Sequence, residues 1–437
     1  MMGTGSLEAT LTGEDSGEPA VARPAALPSE RLGPYRLLRY LGAGAMGVVY
    51  EAIDDEFGDR VAVKTLSRLD ARRLFRLKQE FRTLAGVRHD NLVRHDALIC
   101  DGGSWFLAME FVDGTDIVRA VRRDPGGLRS ALAQLARGVV ALHEAGVLHL
   151  DLKPANVLVE RSGRVVILDF GLAQGWLSRP GDPAGGPSPA GTPGYIAPEL
   201  LAGGAPGRAS DWFAAGKIVA ELLAAADESS GELAALCERL CAPDPAARPD
   251  AREVLGLLAP TAGGRRDVIA LPELVGRTDE LAALRAALAA TRPGEPGLVL
   301  VAGESGVGKT ALVRRFLAEL ERSGAALVLA GRCHECESVP FAGLDPVVDA
   351  LARRLAAVRL PTAEVAACAA LFPVLSNLSE GPYPDVEPTA EVRAAAFLGL
   401  RALLARAAGG RPLVLAIDDL HLARADTAAL LLDLLAD

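Results

Sequence analysis

Aromatic residues make up only 4% of this 437-residue chain, although 50% of its residues are hydrophobic. Large cores are therefore possible, and the shortage of rings reflects genome composition, with alanine, leucine, glycine and arginine abundant, rather than a missing interior. Cysteines are also few. The six, Cys100, Cys237, Cys241, Cys333, Cys336 and Cys368, show no dense spacing, which excludes a disulfide-stapled secreted scaffold and fits a reduced, cytoplasmic setting. Long apolar runs are absent. No window of about eighteen residues is apolar and free of charge, so no transmembrane helix is expected. The N-terminus lacks a basic start and an apolar core, and carries Glu8, Glu14, Asp15 and Glu18 instead; it is not a signal peptide. Positive charge is outweighed, with a net charge of −10, which argues against a chain that binds nucleic acid. Nothing in the sequence fixes an oligomeric state.

What is present is length enough for two or three domains and two dense sets of polar residues. Residues 1–33, rich in Gly, Ser, Thr, Pro and acid, read as a disordered leader. The first polar set is His149-Leu150-Asp151-Leu152-Lys153-Pro154-Ala155-Asn156, followed by Asp169-Phe170-Gly171. Apolar runs flank both pieces, so two short strands present these residues at their ends. The order suits phosphoryl transfer. Asp151 can accept the proton of an attacking hydroxyl, Lys153 can hold a γ-phosphate, and Asn156 and Asp169 can hold magnesium. Taken alone, either aspartate would read as a turn residue; the ordered set does not.

Upstream, an alternating strand from Tyr35 runs into Gly42-Ala43-Gly44-Ala45-Met46-Gly47. A dinucleotide-binding turn would need a helix next. Here Val48 to Ile53 continues as a strand, and Arg60 to Lys64 follows as another. Glycines in a strand–turn–strand let the backbone close over phosphates, with Lys64 reaching the α and β phosphates. Leu74, Leu77, Phe81 and Leu84 share one side of a helix, with Glu80 close to that face.

Together these stretches resemble the eukaryotic-type protein kinases, over roughly residues 35–258. The resemblance implies an α+β bilobal protein-kinase fold, with a small β-rich lobe and a large helical lobe. It makes Glu80 the partner of Lys64, Met109 the gatekeeper, and Glu110 to Val112 the hinge whose backbone takes adenine. The nucleotide cover would run from Leu41 through the glycines to Val48 and Val49. Arg179 to Gly191, dominated by Pro and Gly, becomes an activation loop closing at Gly191-Thr192 and Ala197-Pro198-Glu199, with Arg248 pairing Glu199. Lys153 and Gly191-Thr192 imply Ser/Thr rather than Tyr acceptors. Two departures stand out. Leu150 occupies the place where most members carry Arg. The large lobe is short after Gly216, which puts the usual substrate-docking helix in question.

Residues 259–272 read as a linker. In the second unit, 273–437, the continuous apolar run Leu298 to Ala302 predicts a buried strand. Directly after it comes Gly303-Glu304-Ser305-Gly306-Val307-Gly308-Lys309-Thr310, then a helical stretch. This is a P-loop in its strand–loop–helix setting. Backbone N–H groups from Gly303 through Gly306 and Gly308 wrap a β-phosphate, Lys309 meets the β and γ phosphates, and Thr310 takes magnesium. A later apolar strand ends in Asp418-Asp419, where Asp418 would hold magnesium through water and Asp419 could orient an attacking water. The unit resembles the AAA/STAND-like signal-transducing P-loop ATPases found beside bacterial kinases, which implies an α/β P-loop NTPase domain with a parallel sheet. Cys333-His334-Glu335-Cys336 has a metal-like spacing but no second pair, and in this resemblance both cysteines are packing residues. Such domains normally continue with another strand, a sensor residue and a helical lid, so the sequence reads as C-terminally truncated.

The expected activity is an ATP- and Mg2+-dependent serine/threonine protein kinase, with one nucleotide site per domain, a protein Ser/Thr hydroxyl as acceptor and no nucleic-acid or membrane partner. The alternative is an ATP-binding signalling scaffold, weak as a kinase and switched by the P-loop domain. Because Lys64 and Lys309 lie in different units, loss of Lys309 is expected to leave the kinase reaction intact.

Overall fold

A computed structural model of the chain describes residues 31–44, 47–66, 71–85, 87–170, 191–228, 231–258, 276–304, 306–356, 358, 360–379 and 389–436. The proposed activation loop up to 190, Gly171, Ala45, Met46, Ser305 and the linker fall outside the described residues.

The small lobe is a twisted sheet of β1 (Arg31–Leu32), β2 (Tyr35–Gly44), β3 (Gly47–Asp54) and β4 (Arg60–Thr65), with the helix α1 (Ala71–Leu84) following, then β5 (His95–Asp101) and β6 (Ser104–Glu110). The spatial order is β1-β2-β3-β4-β6-β5. Alternation explains the layering: Tyr50, Ala52 and Val63 are buried on one face, with Phe106 and Ala108 of β6 against them. Residues 31 and 32, expected in the leader, belong to this sheet. Gly33 takes φ +55 and turns β1 back on β2, pairing Leu32 with Tyr35. The apolar stripe of α1, Leu74, Leu77, Phe81 and Leu84, is buried against β5 and β6.

The large lobe begins with β7 (Gly114–Asp116) and α2 (Ile117–Arg123), whose first turn is capped by Asp116 accepting from the Arg119 amide. α3 (Leu128–Glu144) is the buried central helix. β8 (Val157–Glu160) and β9 (Val165–Ile167) form with β7 a three-stranded sheet at the lobe boundary. α4 (Pro198–Leu201), α5 (Arg208–Ala225), α6 (Glu232–Leu240) and α7 (Ala251–Leu258) complete the lobe. Gly216 lets α6 approach α5 closely, since a Cβ there would lie 2.7 Å from Leu240 Cβ.

The second unit contains α8 (Thr278–Ala290), α9 (Lys309–Ser323), β10 (Leu327–Arg332), β11 (Glu337–Ser338), α10 (Asp345–Leu355), α11 (Thr362–Leu371), α12 (Ala390–Ala408), β12 (Leu413–Asp418) and α13 (Ala425–Ala436). β10 and β12 pair in parallel from Leu327↔Leu413 to Arg332↔Asp418. Residues 298–302 correct the expectation of a buried strand. They have no strand partner among the described residues, and Leu298 and Leu300 are 77% and 75% exposed. An apolar run becomes a strand only where a neighbouring backbone supplies its hydrogen bonds, and β12 pairs with β10 instead.

One connection was not legible at all. β11, from the second unit, joins the small-lobe sheet beside β5 in parallel, with Glu337 opposite Leu98 and Ser338 opposite Ile99. Val339 and Ala342 just beyond it are buried in the same core as α1.

Candidate active site and second nucleotide site

β3 and β4 place Lys64 on the buried side of the small lobe, and α1 brings Glu80 to it. The Lys64 ammonium lies 2.7 and 3.0 Å from the two Glu80 oxygens and 2.8 Å from Asp169 Oδ1. Burial would lower the Lys64 pKa, but Asp169 and Glu80 more than reverse this and hold it above its ordinary value. Burial lifts the Glu80 carboxyl against the pull of Lys64. Burial also pushes on Asp169, yet Lys64 wins and holds that carboxyl down to about 2. Asp169 is ionised across the neutral range, and its side chain is 43% exposed towards the cleft. The residue sits at φ +57, anchored by the buried Phe170 ring between His95 and His149.

The catalytic-loop residues converge at the boundary of the lobes. Lys153 donates to Asp151 Oδ2 at 2.8 Å, and the Thr192 amide and hydroxyl donate to Asp151 Oδ1 at 2.9 and 2.8 Å. Lys153 also donates to the Thr192 hydroxyl at 2.7 Å. The Asn156 side-chain amide donates to the Asp151 carbonyl at 2.9 Å, which fixes the flip and leaves its Oδ1 as an oxygen donor. Asn156 Oδ1 and the Asp169 carboxylate are hard oxygen ligands of the kind magnesium takes.

Asp211, in the first turn of α5, organises this loop. It is fully buried and accepts from the amides of His149 (2.9 Å) and Leu150 (2.8 Å), with His143 Nε2 at 2.8 Å. These bonds hold Leu150 at φ +62, a costly conformation for a residue with a branched side chain. His149 Nδ1 accepts from the Asp151 amide, so its Nε2 carries the proton and donates to the Leu168 carbonyl. A carboxylate followed directly by the apolar run Trp212 to Gly216 in the first turns of the helix was the available signal. Arg248 grips Glu199 through two nitrogens at 2.8 and 2.7 Å.

At the hinge, Met109 is buried. The Glu110 amide donates to Arg94, and the Val112 carbonyl accepts from Gly114, so the complementary groups are the Glu110 carbonyl and the Val112 amide. The Glu110 side chain is ion-paired with Arg164. Leu41, Gly42, Ala43 and Gly44 lie at the end of β2, opposite Gly47, Val48 and Val49 of β3. Gly47 is required as glycine. Its φ is +154, and a Cβ would lie 2.0 Å from the Thr65 carbonyl oxygen.

In the second unit, Gly306 and Gly308 take positive φ and turn the loop into the first turn of α9. Lys309 donates to the Gly303 and Glu304 carbonyls, each at 2.8 Å. The Thr310 hydroxyl lies 2.9 Å from Asp418 Oδ2, which brings the two proposed magnesium ligands together. Asp419, at φ +53, is ion-paired with Arg332 at 2.8 Å. Cys333 is buried as expected, but Cys336 is exposed, so only one of the pair packs. Its carbonyl instead accepts from the Leu98 amide. Among the described residues no cluster suited to a metal was found around them.

Residues 35–232 match the family profile of the protein kinase domain, and residues 273–437 that of the AAA ATPase domain. The chain carries a protein kinase domain joined to an AAA ATPase domain. Its kinase domain is 36% identical over 204 residues to serine/threonine-protein kinase pkn2 of Myxococcus xanthus, covering 44% of this chain and 24% of that protein. It is 34% identical over 232 residues to serine/threonine-protein kinase PknA of Mycobacterium tuberculosis, covering 50% and 53%. CBL-interacting serine/threonine-protein kinase 17 of Arabidopsis thaliana is 35% identical over 232 residues, covering 49% and 52%. The chain thus spans between about a quarter and a half of the length of the curated relatives it matches. Among the described residues, no helix is long and apolar enough to cross a membrane.

Proposed function

We propose that this chain is an ATP-dependent serine/threonine protein kinase with a nucleotide-binding regulatory module. The observation that carries the reading is the convergence of Lys64, Glu80 and Asp169 in one ionic group, beside Asp151 held by Lys153, Thr192 and Asn156. Asp151 takes the proton of an acceptor hydroxyl, Lys153 steadies the transferred phosphoryl group, and Lys64 aligns the α and β phosphates. Magnesium, held by Asn156 and Asp169, would screen the phosphate charge. The adenine would meet the Glu110 carbonyl and the Val112 amide. Such a reaction is accelerated mainly by positioning and charge stabilisation, which this arrangement can supply.

In the AAA ATPase domain, Lys309 would exchange its loop carbonyls for phosphate oxygens, and Thr310 and Asp418 would share magnesium. The working boundaries are 34–258 for the kinase unit, with β1 added at its start, 259–272 for the linker and 273–437 for the ATPase unit. Six free thiols support a reducing, cytoplasmic setting. Incubation with labelled ATP, magnesium and a generic protein acceptor, followed by phosphosite mapping, tests the reading. Label on serine and threonine, lost in Asp151→Asn, is expected; ATP binding without transfer would favour the scaffold.

A further inference from the structure

The kinase helix that carries Glu80 is gripped on its other side by the ATPase domain. Lys78 and Arg82, one turn apart on α1, are both buried. Lys78 Nζ lies 2.8 Å from Asp345 Oδ1 and 3.2 Å from Asp349 Oδ1. Arg82 reaches Asp349 at 2.7 Å, Asp345 at 2.5 Å and Glu337 at 2.9 Å. Asp345 and Asp349 are themselves one turn apart on α10. Two carboxylates so close, fully buried, need cations, and α1 supplies both. Burial raises the Asp345 carboxyl, but Lys78 and Arg82 together bring it below its ordinary value. Two cations bridged to three carboxylates across the boundary make a specific docking surface rather than an incidental packing of two domains.

The same contact runs back to the second nucleotide site in a few residues. The Thr310 hydroxyl bonds Asp418, whose backbone carbonyl accepts from the Cys333 amide at 3.0 Å. His334 follows, with its ring edge-on to Phe81 at 5.9 Å, next to Glu80. Then the Cys336 carbonyl takes the Leu98 amide, and Glu337 takes Arg82. Segment 333–338 therefore touches the magnesium ligand of one domain at its start and α1 of the other at its end.

We propose that the ATPase domain acts on the kinase through α1: docking holds the helix where Glu80 meets Lys64, and the nucleotide at Lys309 and Thr310 changes that docking through segment 333–338. The proposal rests on the kinase reading above for its functional consequence, though not for the docking itself. A nucleotide can shift this equilibrium only if it contacts the docked and undocked states differently. Asp418 would supply the difference, because the residue whose side chain meets Thr310 and would help hold magnesium also anchors the Cys333 amide through its backbone carbonyl. The coupling is reciprocal: loosening the docking must change nucleotide affinity at the P-loop.

The test uses the full chain. Asp345→Asn combined with Asp349→Asn removes two docking charges and touches neither nucleotide site. We expect kcat for phosphotransfer to fall at least tenfold, KM for ATP to change less than threefold, and amides of residues 71–84 to exchange faster. His334→Ala, which leaves the buried ion cluster intact at a half-buried position, should give a fall of about threefold in kcat and guards against misfolding of the double variant. ADP should alter exchange across residues 71–84, and Lys309→Ala should remove the part of that change that comes from the P-loop. Unchanged kcat in both variants, a rise in kcat, or an ADP response identical in Lys309→Ala would each overturn the proposal. If the unaltered chain transfers no phosphate, the kinase reading fails while the exchange measurements still decide whether α1 senses the P-loop.

Discussion

Lys78 and Glu80 stand two residues apart on α1 and are held by different domains. Lys78 donates to Asp345 of the ATPase domain at 2.8 Å, whereas Glu80 accepts from Lys64 inside the kinase lobe at 2.7 Å. At 100° per residue the two side chains leave the helix on widely separated faces, so a rotation of α1 disturbs both bonds. Lys78→Met should therefore be costly. Removing one partner from a buried ion cluster costs about 3–5 kcal/mol, and for a unit of this size the unfolding midpoint should fall on the order of ten degrees. Calorimetry checks this; a shift below about 2 °C, under one kcal/mol by the same conversion, would mean that the cluster contributes little.

Asp151→Asn should abolish phosphotransfer and leave ATP affinity within about threefold. The side chain meets Lys153 and Thr192 rather than the hinge, so its loss removes the proton acceptor without touching the adenine groups. Binding by titration calorimetry and transfer to a protein acceptor separate the two. Near-native turnover would remove Asp151 from the role of base.

Leu150 predicts weak dependence on phosphorylation of the activation segment. Its backbone is fixed by Asp211, and its side chain cannot clamp a phosphate as an arginine would. Phosphatase treatment should leave most of the activity. A loss beyond about tenfold, roughly 1.4 kcal/mol of barrier, would show another residue doing the clamping.

Acid should loosen the docking of segment 333–338. Burial and the nearby Arg82 and Arg332 lower the His334 pKa from 6.5 to about 4, against Asp419, which raises it. A freed histidine takes its proton near 6.5 and a docked one only near 4, so docking weakens as pH falls through that window and is fully present above it. Glu337 and Asp349, lifted by burial, work in the opposite sense, because carboxyls that hold their protons more tightly when docked favour docking as pH falls; the contribution of the histidine is therefore read by difference. Protection of α1 amides, exchange being taken relative to the intrinsic rate at each pH, should fall more between pH 7 and 4.5 in the unaltered chain than in His334→Gln. Parallel profiles would exclude the histidine.

Lys309→Ala should abolish nucleotide binding at the P-loop, read by calorimetry on a Lys64→Met background. Hydrolysis there should be very slow, since Asp419 is tied to Arg332 rather than free to orient water. Rapid phosphate release that survives Lys64→Met and vanishes with Lys309→Ala would contradict this.

The kinase machinery was legible because its chemistry is written in short ordered runs. Lys64, Asp151, Asn156 and Asp169 sit at strand ends or in tight turns, where local spacing sets position. Glu80 was legible from its place beside the apolar stripe of α1. Asp211 was harder, because its task is to accept from backbone amides more than sixty residues away. Lys78, Arg82, Asp345 and Asp349 were not legible. On a helix each looks like a solvated charge, and only tertiary contact pairs them. For the same reason the two nucleotide sites read as independent in the sequence, whereas their domains share a sheet and a buried ion cluster.

β11 has a second consequence. It occupies the edge of the small-lobe sheet, bonding the Leu98 backbone that β5 would otherwise leave open. An uncovered strand edge is a template for pairing with other chains. The ATPase domain thus shields its neighbour from self-association, and the kinase lobe expressed without it would present a sticky edge built from β5. If α1 senses the P-loop as proposed, the same two residues of backbone, Glu337 and Ser338, would serve both solubility and signalling.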